Sequence, residues 1–276
     1  MSVSRIDLDG IGSPLDIAKR IHQLESNLKP DFAIEDLCRS LDIITIEETE
    51  ISGFEAALIM DEHKASGSIL LASGRPPSRR RFSIGHELGH FLIPTHMPKP
   101  GEIFSCSLAD FHHLGTHEKD RRKQIEAEAN RFAAALLMPP ARVRAQMTAR
   151  QPDLAEIVRL AGEFGVSKEA MARCYVEAHH GCIAVIILQH GKLRRVYRQT
   201  DHFPWVEPGI GQPVPMESIA SDHGLQSGAC SPSEECDPEI WIGERGAKRV
   251  EVLTEQVLGQ QQGYAMVLLH AEMDEA

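Results

Sequence analysis

Long apolar runs are missing from this sequence. No segment of about 18 apolar residues occurs, and the N-terminal segment has no apolar core of the kind that an export signal needs. We therefore expect a cytoplasmic protein that neither crosses a membrane nor is secreted. Basic residues are also in the minority, because 29 Lys and Arg face 40 Asp and Glu and give a net charge of −11. This balance counts against a general nucleic-acid coat protein, which needs a basic face.

Cysteine is scarce and scattered, which favours reduced thiols over a disulfide framework. Cys230 and Cys236 lie in a stretch rich in Ser, Pro and Glu, and their spacing is not a standard one for metal ligands. We expect neither a metal site nor a redox pair there. The composition, 42% hydrophobic and 25% charged, is that of a globular protein with enough apolar material for real cores.

The hydrophobic pattern divides the chain into three regions and predicts an α+β fold. Residues 1–150 mix helical periodicity with short strand-like runs, and the run 67–73 is a candidate edge onto which a substrate strand could add. Residues 151–180 are typical of a helix-turn-helix, although two helices packed on the preceding domain would give the same pattern. Residues 181–276 contain five strand-like runs that predict an antiparallel sheet, and one of them is "EIWIGE", 239–244.

The segment "IGHELGHF", 84–91, carries the strongest chemical signal, with His86, Glu87 and His90 in a His-Glu-x-x-His pattern. On a helix, residues four apart share a face, so the two imidazoles aim at one point. Two neutral imidazoles suit Zn²⁺, and the carboxylate of Glu87 can take a proton from an attacking water and pass it to a leaving amine. The alternative, an exposed helix with two spare histidines, is disfavoured by the apolar residues around the motif. Gly89 costs about 1 kcal/mol of helix stability relative to Ala, which makes sense if another element packs closely there.

A catalytic zinc site needs a third protein ligand, and the segment "QIEAEANRFAAALLMPP" offers two carboxylates. Glu126 falls on the apolar stripe of this predicted helix, whereas Glu128 lies nearer its flank. We predict Glu126 as the ligand and keep Glu128 open as the alternative. Asn130, one turn after Glu126, is then placed to hold a ligand histidine by its second ring nitrogen.

The two segments "RRRFSIGHELGHFL" and "EAEANRFAAALLMPP", in this order, resemble the ImmA/IrrE family of zinc metallopeptidases. The resemblance implies a minimal zincin-like fold for residues 1–150, in which His86, His90 and Glu126 bind one zinc and Glu87 is the general base. Manganese in place of zinc stays open. The resemblance also implies a helix-turn-helix segment at 151–180, a GAF-like C-terminal domain of α/β type with an antiparallel sheet at 181–276, and a protein substrate. That substrate is a helix-turn-helix repressor, whose cleavage derepresses stress or DNA-damage response genes.

Other polar clusters have weaker interpretations. A histidine of the segment 112–117 could stabilise the oxyanion of a tetrahedral intermediate, although exposed loop histidines are the simpler reading. The arginines at 79–81 could bind an acidic substrate or form a solvated face.

A second hypothesis for the whole chain is a DNA-binding regulator that uses the helix-turn-helix, with the zincin domain as a scaffold. The net charge argues against it. So does the predicted second helix, whose only bases are Lys168 and Arg173, whereas a recognition helix usually carries more donors. We therefore expect no DNA binding by this chain alone.

Overall fold

In the computed structural model the chain divides into two compact units, Met1–Pro139 with Glu163–Ser167, and Pro140–Gly162 with Lys168–Ala276. The residues that the structure describes are 1–50, 54–61, 63–97, 104–106, 121–149, 151–199, 201–221 and 226–274. Within these ranges, no helix has both the length and the apolar character needed to cross a membrane.

The first unit combines helices with short strands, as the sequence predicts, and the strands form a small mixed sheet. Its elements are α1 (Pro14–Leu24), α2 (Ile34–Ser40), β1 (Ile43–Thr49), β2 (Ala56–Met60), β3 (Gly67–Ala72), α3 (Pro77–Leu92), β4 (Phe104–Cys106) and α4 (Arg121–Leu137). Prolines lie at both ends of α3. Pro77 occupies the first position, because proline fits a first helical turn, and the helix ends before Pro94, because proline cannot continue a helix.

The sheet of the first unit has the order β1-β3-β2-β4. β1 pairs with β3 in parallel, while β2 runs antiparallel to both β3 and β4. The prediction that 67–73 is an edge strand is therefore wrong, because β3 is hydrogen-bonded on both sides. An alternating pattern predicts that a segment is a strand. It does not predict a parallel partner, because parallel strands are joined by a crossover and are not adjacent along the chain.

Small residues let α3 and α4 approach each other closely. A Cβ atom added to Gly89 would lie 2.9 Å from Cδ1 of Phe132 and 3.3 Å from Cα of Ala129. One added to Gly85 would lie 3.4 Å from Cβ of Ala133. The expectation that another element packs closely against Gly89 is thus confirmed, and that element is α4.

From Pro140 onward the elements are α5 (Pro140–Gln146), α6 (Leu154–Phe164), α7 (Lys168–Ala178), β5 (Cys182–Gln189), β6 (Lys192–Arg198), β7 (Glu234–Cys236), α8 (Glu239–Ala247), β8 (Val250–Gly259) and β9 (Tyr264–Met273). α6 and α7 are joined through Gly165, whose φ of +63° is a conformation that glycine adopts without strain. The strands form one antiparallel sheet with the order β6-β5-β9-β8-β7.

The alternating pattern of the segment 239–244 predicts a strand. This prediction is wrong, because the segment forms the start of α8. The side chain of Asp237 accepts a hydrogen bond from the backbone N of Glu239 at 2.9 Å, and Pro238 sits at the N-cap. These two residues favour a helix start. Trp241 and Ile242 are then buried in the core beside the sheet. The fifth strand of the sheet is instead β7, just before this helix.

A buried carboxylate ties the segment after α5 to α6 and α7. Glu156 accepts hydrogen bonds from the backbone N of Thr148 at 2.6 Å, from the backbone N of Ala149 at 3.0 Å and from the hydroxyl of Tyr175 at 3.1 Å. Burial opposes ionisation of Glu156, but these bonds outweigh it and hold the pKa of the carboxyl below its ordinary value.

Replacing Glu156 with glutamine should lower the free energy of unfolding by about 1–3 kcal/mol at neutral pH, because buried donors lose their charged acceptor. Since the native pKa is lowered, the wild type has this stabilisation above the ordinary pKa and loses it as the pH falls through the native value. The difference between wild type and variant should therefore shrink below about pH 5. Urea unfolding at pH 7 and at acidic pH checks this, and a difference that grows towards acid would contradict it.

Replacing Gly89 with alanine should destabilise the first unit. Alanine gains about 1 kcal/mol of helix propensity, but the added methyl overlaps Phe132 and overpacking costs about 1–3 kcal/mol. Gly162 is a matched control in α6, since a Cβ there would meet nothing within 4 Å. Gly162→Ala should therefore stabilise the protein by up to about 1 kcal/mol. Thermal unfolding measures both variants, and equal shifts in the same direction would refute the packing argument.

Candidate metal centre

Three buried side chains of the first unit converge on one point. Nε2 of His86 lies 3.0 Å from Nε2 of His90, and Oε2 of Glu126 lies 3.2 Å and 3.5 Å from these two nitrogens. All three side chains are buried. Within the described ranges, no other three His, Cys, Asp or Glu side chains come together at a spacing that suits a metal ion.

The spacing of these three atoms fits a tetrahedral ion. Two ligands that are each about 2.05 Å from a tetrahedral zinc are separated from one another by about 3.3 Å. The observed separations of 3.0, 3.2 and 3.5 Å lie on either side of that value. Two imidazole nitrogens and one carboxylate oxygen are also a donor set that zinc accepts.

α3 and α4 each contribute to the group through helical periodicity. His86 and His90 are one turn apart on α3, and Glu126 comes from the buried face of α4. Of the two carboxylates that the sequence offers, the structure brings Glu126 to the histidines. Glu128 lies on the flank of α4, where its Oε2 is 2.9 Å from Nε2 of His96.

Asn130 fixes the orientation of one histidine. Its side-chain Oδ1 lies 2.9 Å from Nδ1 of His86. An amide oxygen can only accept, so Nδ1 of His86 carries the hydrogen and donates it. The lone pair of His86 is then on Nε2, the atom that faces His90 and Glu126. This is the contact that the sequence predicts for Asn130.

The protonation states of the group favour a cation. Burial lowers the pKa of His90 to about 3, although the neighbouring carboxylate of Glu126 acts in the opposite direction. Burial opposes ionisation of Glu126, but the two adjacent imidazoles of His86 and His90 outweigh this and lower its pKa. At neutral pH the site therefore offers a neutral His90 imidazole and an ionised carboxylate, the forms in which these groups bind metals.

Glu87 is fully buried and directly follows His86 in α3. A glutamate side chain is almost never fully buried unless a compensating interaction stabilises it. A buried carboxylate next to a candidate ligand is where a general base for a water molecule is needed.

Two residues near the site were missed by the sequence analysis. Nδ1 of His96 lies 3.1 Å from Nδ1 of His90, on the side away from His86. Nζ of Lys64, a buried residue, donates to the carbonyl oxygens of His90 at 2.9 Å and Ile93 at 2.8 Å, at the C-terminal end of α3. Burial, with a contribution from Arg5, lowers the pKa of Lys64 to about 8. Pro94, which ends α3 shortly before a further histidine, is the signal that could have pointed to His96.

The three arginines at the start of α3 are engaged within their own unit. Arg79 and Arg75 both contact the buried carboxylate of Glu55, at 2.9 Å and 3.0 Å. Arg80 pairs with Glu35 and Glu48, and Arg81 bonds to the carbonyl oxygens of Pro30 and Phe32. These contacts hold the start of α3 against the rest of the first unit.

Two further groups were singled out in the sequence. The histidines of the segment 112–117 lie outside the described residues. Cys230 and Cys236 are opposite Leu258 and Leu253, which are five positions apart on β8. At about 3.4 Å per residue the two cysteines are roughly 17 Å apart and cannot pair.

A helix with two histidines one turn apart, packed on a small mixed sheet and facing a carboxylate from a second helix, is the arrangement of a metallopeptidase-type domain. Residues 44–174 match the model of a peptidase family described as the IrrE N-terminal-like domain. This match supports an assignment of the domain to the ImmA/IrrE family.

Among solved structures, the chain is similar to a Mycobacterium tuberculosis transcriptional regulator. The two share 13% sequence identity and a TM-score of 0.55, over 94% of this chain and 76% of that one. At this identity the similarity demonstrates a shared fold. A comparison with curated proteins finds no match.

Proposed function

We propose that this protein is a zinc-dependent endopeptidase that cleaves one protein substrate at a specific site. The observation that carries the proposal is the buried group of His86, His90 and Glu126 inside a domain of a peptidase family. Manganese could replace zinc, because imidazole and carboxylate ligands suit both ions.

In this mechanism His86, His90 and Glu126 hold the ion, which, when bound, polarises the scissile carbonyl and acidifies a water molecule. Glu87 accepts the proton of the attacking water on its carboxylate and delivers it to the leaving amine. Asn130 keeps the Nε2 lone pair of His86 directed at the ion by accepting the hydrogen of Nδ1. The buried setting of these residues strengthens each of their electrostatic contacts, because the local dielectric constant is low.

The proposed substrate is a helix-turn-helix repressor, whose cleavage derepresses stress or DNA-damage response genes. This choice rests on the resemblance of the two motif segments to the ImmA/IrrE family. We assign the C-terminal region, 181–276, to a GAF-like module that docks the partner or regulates cleavage. Its five-stranded antiparallel sheet and the helix α8 are compatible with that assignment.

The competing proposal, a DNA-binding regulator, needs α7 to be free to enter a groove. Glu169, in the first turn of α7, instead bonds to Nε of Arg195 at 2.9 Å and to the hydroxyl of Tyr197 at 2.8 Å. The side chain of Arg173 pairs with Glu177 on the same helix at 3.1 Å. An acidic residue held at the start of α7 would face phosphates unfavourably, which supports the peptidase.

The test is to incubate the purified protein with candidate helix-turn-helix repressors encoded near its gene, with added zinc and after treatment with a chelator. A single cut, identified by mass spectrometry and abolished by the chelator, is expected. An intact repressor after metal loading would count against the proposal. Duplex DNA carrying the repressor's operator should not be retarded in a gel by this protein alone. Tight, sequence-selective retardation would support the DNA-binding alternative.

A further inference from the structure

His90 is connected to α4 by a line of two hydrogen bonds on its side away from His86. Nδ1 of His90 lies 3.1 Å from Nδ1 of His96, and Nε2 of His96 lies 2.9 Å from Oε2 of Glu128. The ring of His96 is fully buried, while the side chain of Glu128 is 37% exposed. The line therefore runs from a buried candidate ligand to a carboxylate in contact with solvent.

The chemistry of the three groups fixes the direction of both bonds. The Glu128 carboxylate can only accept, so Nε2 of His96 carries a hydrogen and donates it. Nδ1 of a neutral His96 is then an acceptor, and the hydrogen between the two rings belongs to Nδ1 of His90. This leaves the lone pair of His90 on Nε2, the atom that faces His86 and Glu126.

We propose that His96 and Glu128 are positioning residues that fix the tautomer and the ring orientation of His90 for metal binding. The inference rests on the proposed function, because it takes His90 as a metal ligand. His86 is held by the neutral amide of Asn130, whereas His90 is held by a carboxylate acting through a second imidazole. Such outer contacts also raise the basicity of a ligand histidine.

The turn after α3 holds His96 in place for this role. The backbone N of Ile93 donates to the carbonyl of Gly89 at 3.0 Å, and the backbone N of His96 donates to the carbonyl of Ile93 at 3.1 Å. Lys64 bonds to the carbonyls of His90 and Ile93 from the other side. The backbone that carries His96 is thus tied directly to the residue that its ring contacts.

The experiment measures zinc affinity by competition with a chromophoric chelator, using the full chain. His96→Leu keeps most of the volume but removes both hydrogen bonds, and we expect zinc affinity to fall about 10–100-fold. His96→Gln should restore most of the affinity, because its amide oxygen can accept from Nδ1 of His90 and its amide nitrogen can donate to Glu128. Glu128→Ala should cost about tenfold, at the low end of the same range.

His22 provides a matched control in the same unit. Its Nε2 bonds to the carbonyl of Leu136 at 2.8 Å, about 15 Å further along α4 than Glu126. His22→Leu should leave zinc affinity unchanged. In the Co²⁺-loaded protein, the visible absorption bands, which report ligand geometry, should shift in His96→Leu and stay unchanged in His22→Leu.

The outcomes separate this inference from the proposed function. A wild type that binds no zinc overturns the proposed function and the inference with it. A wild type that binds zinc while His96→Leu binds it equally well overturns the inference alone, as does a His96→Gln variant no better than His96→Leu. If His96→Leu fails to fold, unchanged affinity in Glu128→Ala, which alters a partly exposed side chain, overturns it as well.

Discussion

Replacing Glu87 with glutamine should abolish cleavage of the repressor while leaving zinc content and folding unchanged. Glutamine has the size of glutamate but cannot accept a proton from water, and a positioned general base contributes about 10²–10⁴-fold to such reactions. We therefore expect the cleavage rate to fall by about that factor. Metal analysis and circular dichroism check the site and the fold, and a single-turnover assay checks the rate.

A control for this substitution is available at Glu251, an exposed residue of β8. Glu251→Gln makes the same chemical change on an exposed residue of the second unit and should retain both zinc and activity. If Glu87→Gln cut the repressor as fast as Glu251→Gln, the general base would have to be another group.

The second large effect is expected at Glu126. Glu126→Gln removes the charged oxygen that lies 3.2 Å and 3.5 Å from the two imidazole nitrogens. Zinc affinity should therefore fall by more than the roughly 10–100-fold that outer-shell substitutions cost. Isothermal titration with zinc, or competition with a chelator, measures the loss.

Glu128→Gln is the matched comparison on the same helix. Its amide oxygen can still accept from His96, so zinc affinity should fall less than in Glu128→Ala. A larger loss for Glu128→Gln than for Glu126→Gln would contradict the assignment of the two roles. Glu128 would then be the ligand in place of Glu126.

Local periodicity predicted much of the site. Residues four apart on a helix share a face, and this selected His86 and His90. The apolar stripe of the next helix selected Glu126, and the structure brings these three side chains together. Each of these inferences needs only to know which residues share one face of a single helix, and the spacing of residues in the sequence gives this.

The residues that were missed depend on tertiary contacts. His96 reaches His90 because the chain turns after Pro94. Lys64, whose own φ is +50°, contacts the same turn from another part of the chain. No periodicity connects these positions. The interior place of β3 was missed for a similar reason, because its parallel partner β1 is not adjacent along the chain. In 239–244, the apolar residues Ile240 and Ile242 alternate with other residues as they would in a strand. The segment is nevertheless helical, because Asp237 and Pro238 favour the start of a helix.

The division of the candidate ligands between α3 and α4 has a thermodynamic consequence. An ion held by His90 and Glu126 cross-links two helices that are distant along the chain, and it does so in the folded state, where the three donors converge. Metal binding is then linked to folding by mass action: at a free metal concentration of 100 times Kd, the native state gains about 2.7 kcal/mol. If the proposed metal binds here, we expect the melting temperature to rise with the free metal concentration, and we expect metal depletion both to stop cleavage and to loosen the contact between α3 and α4.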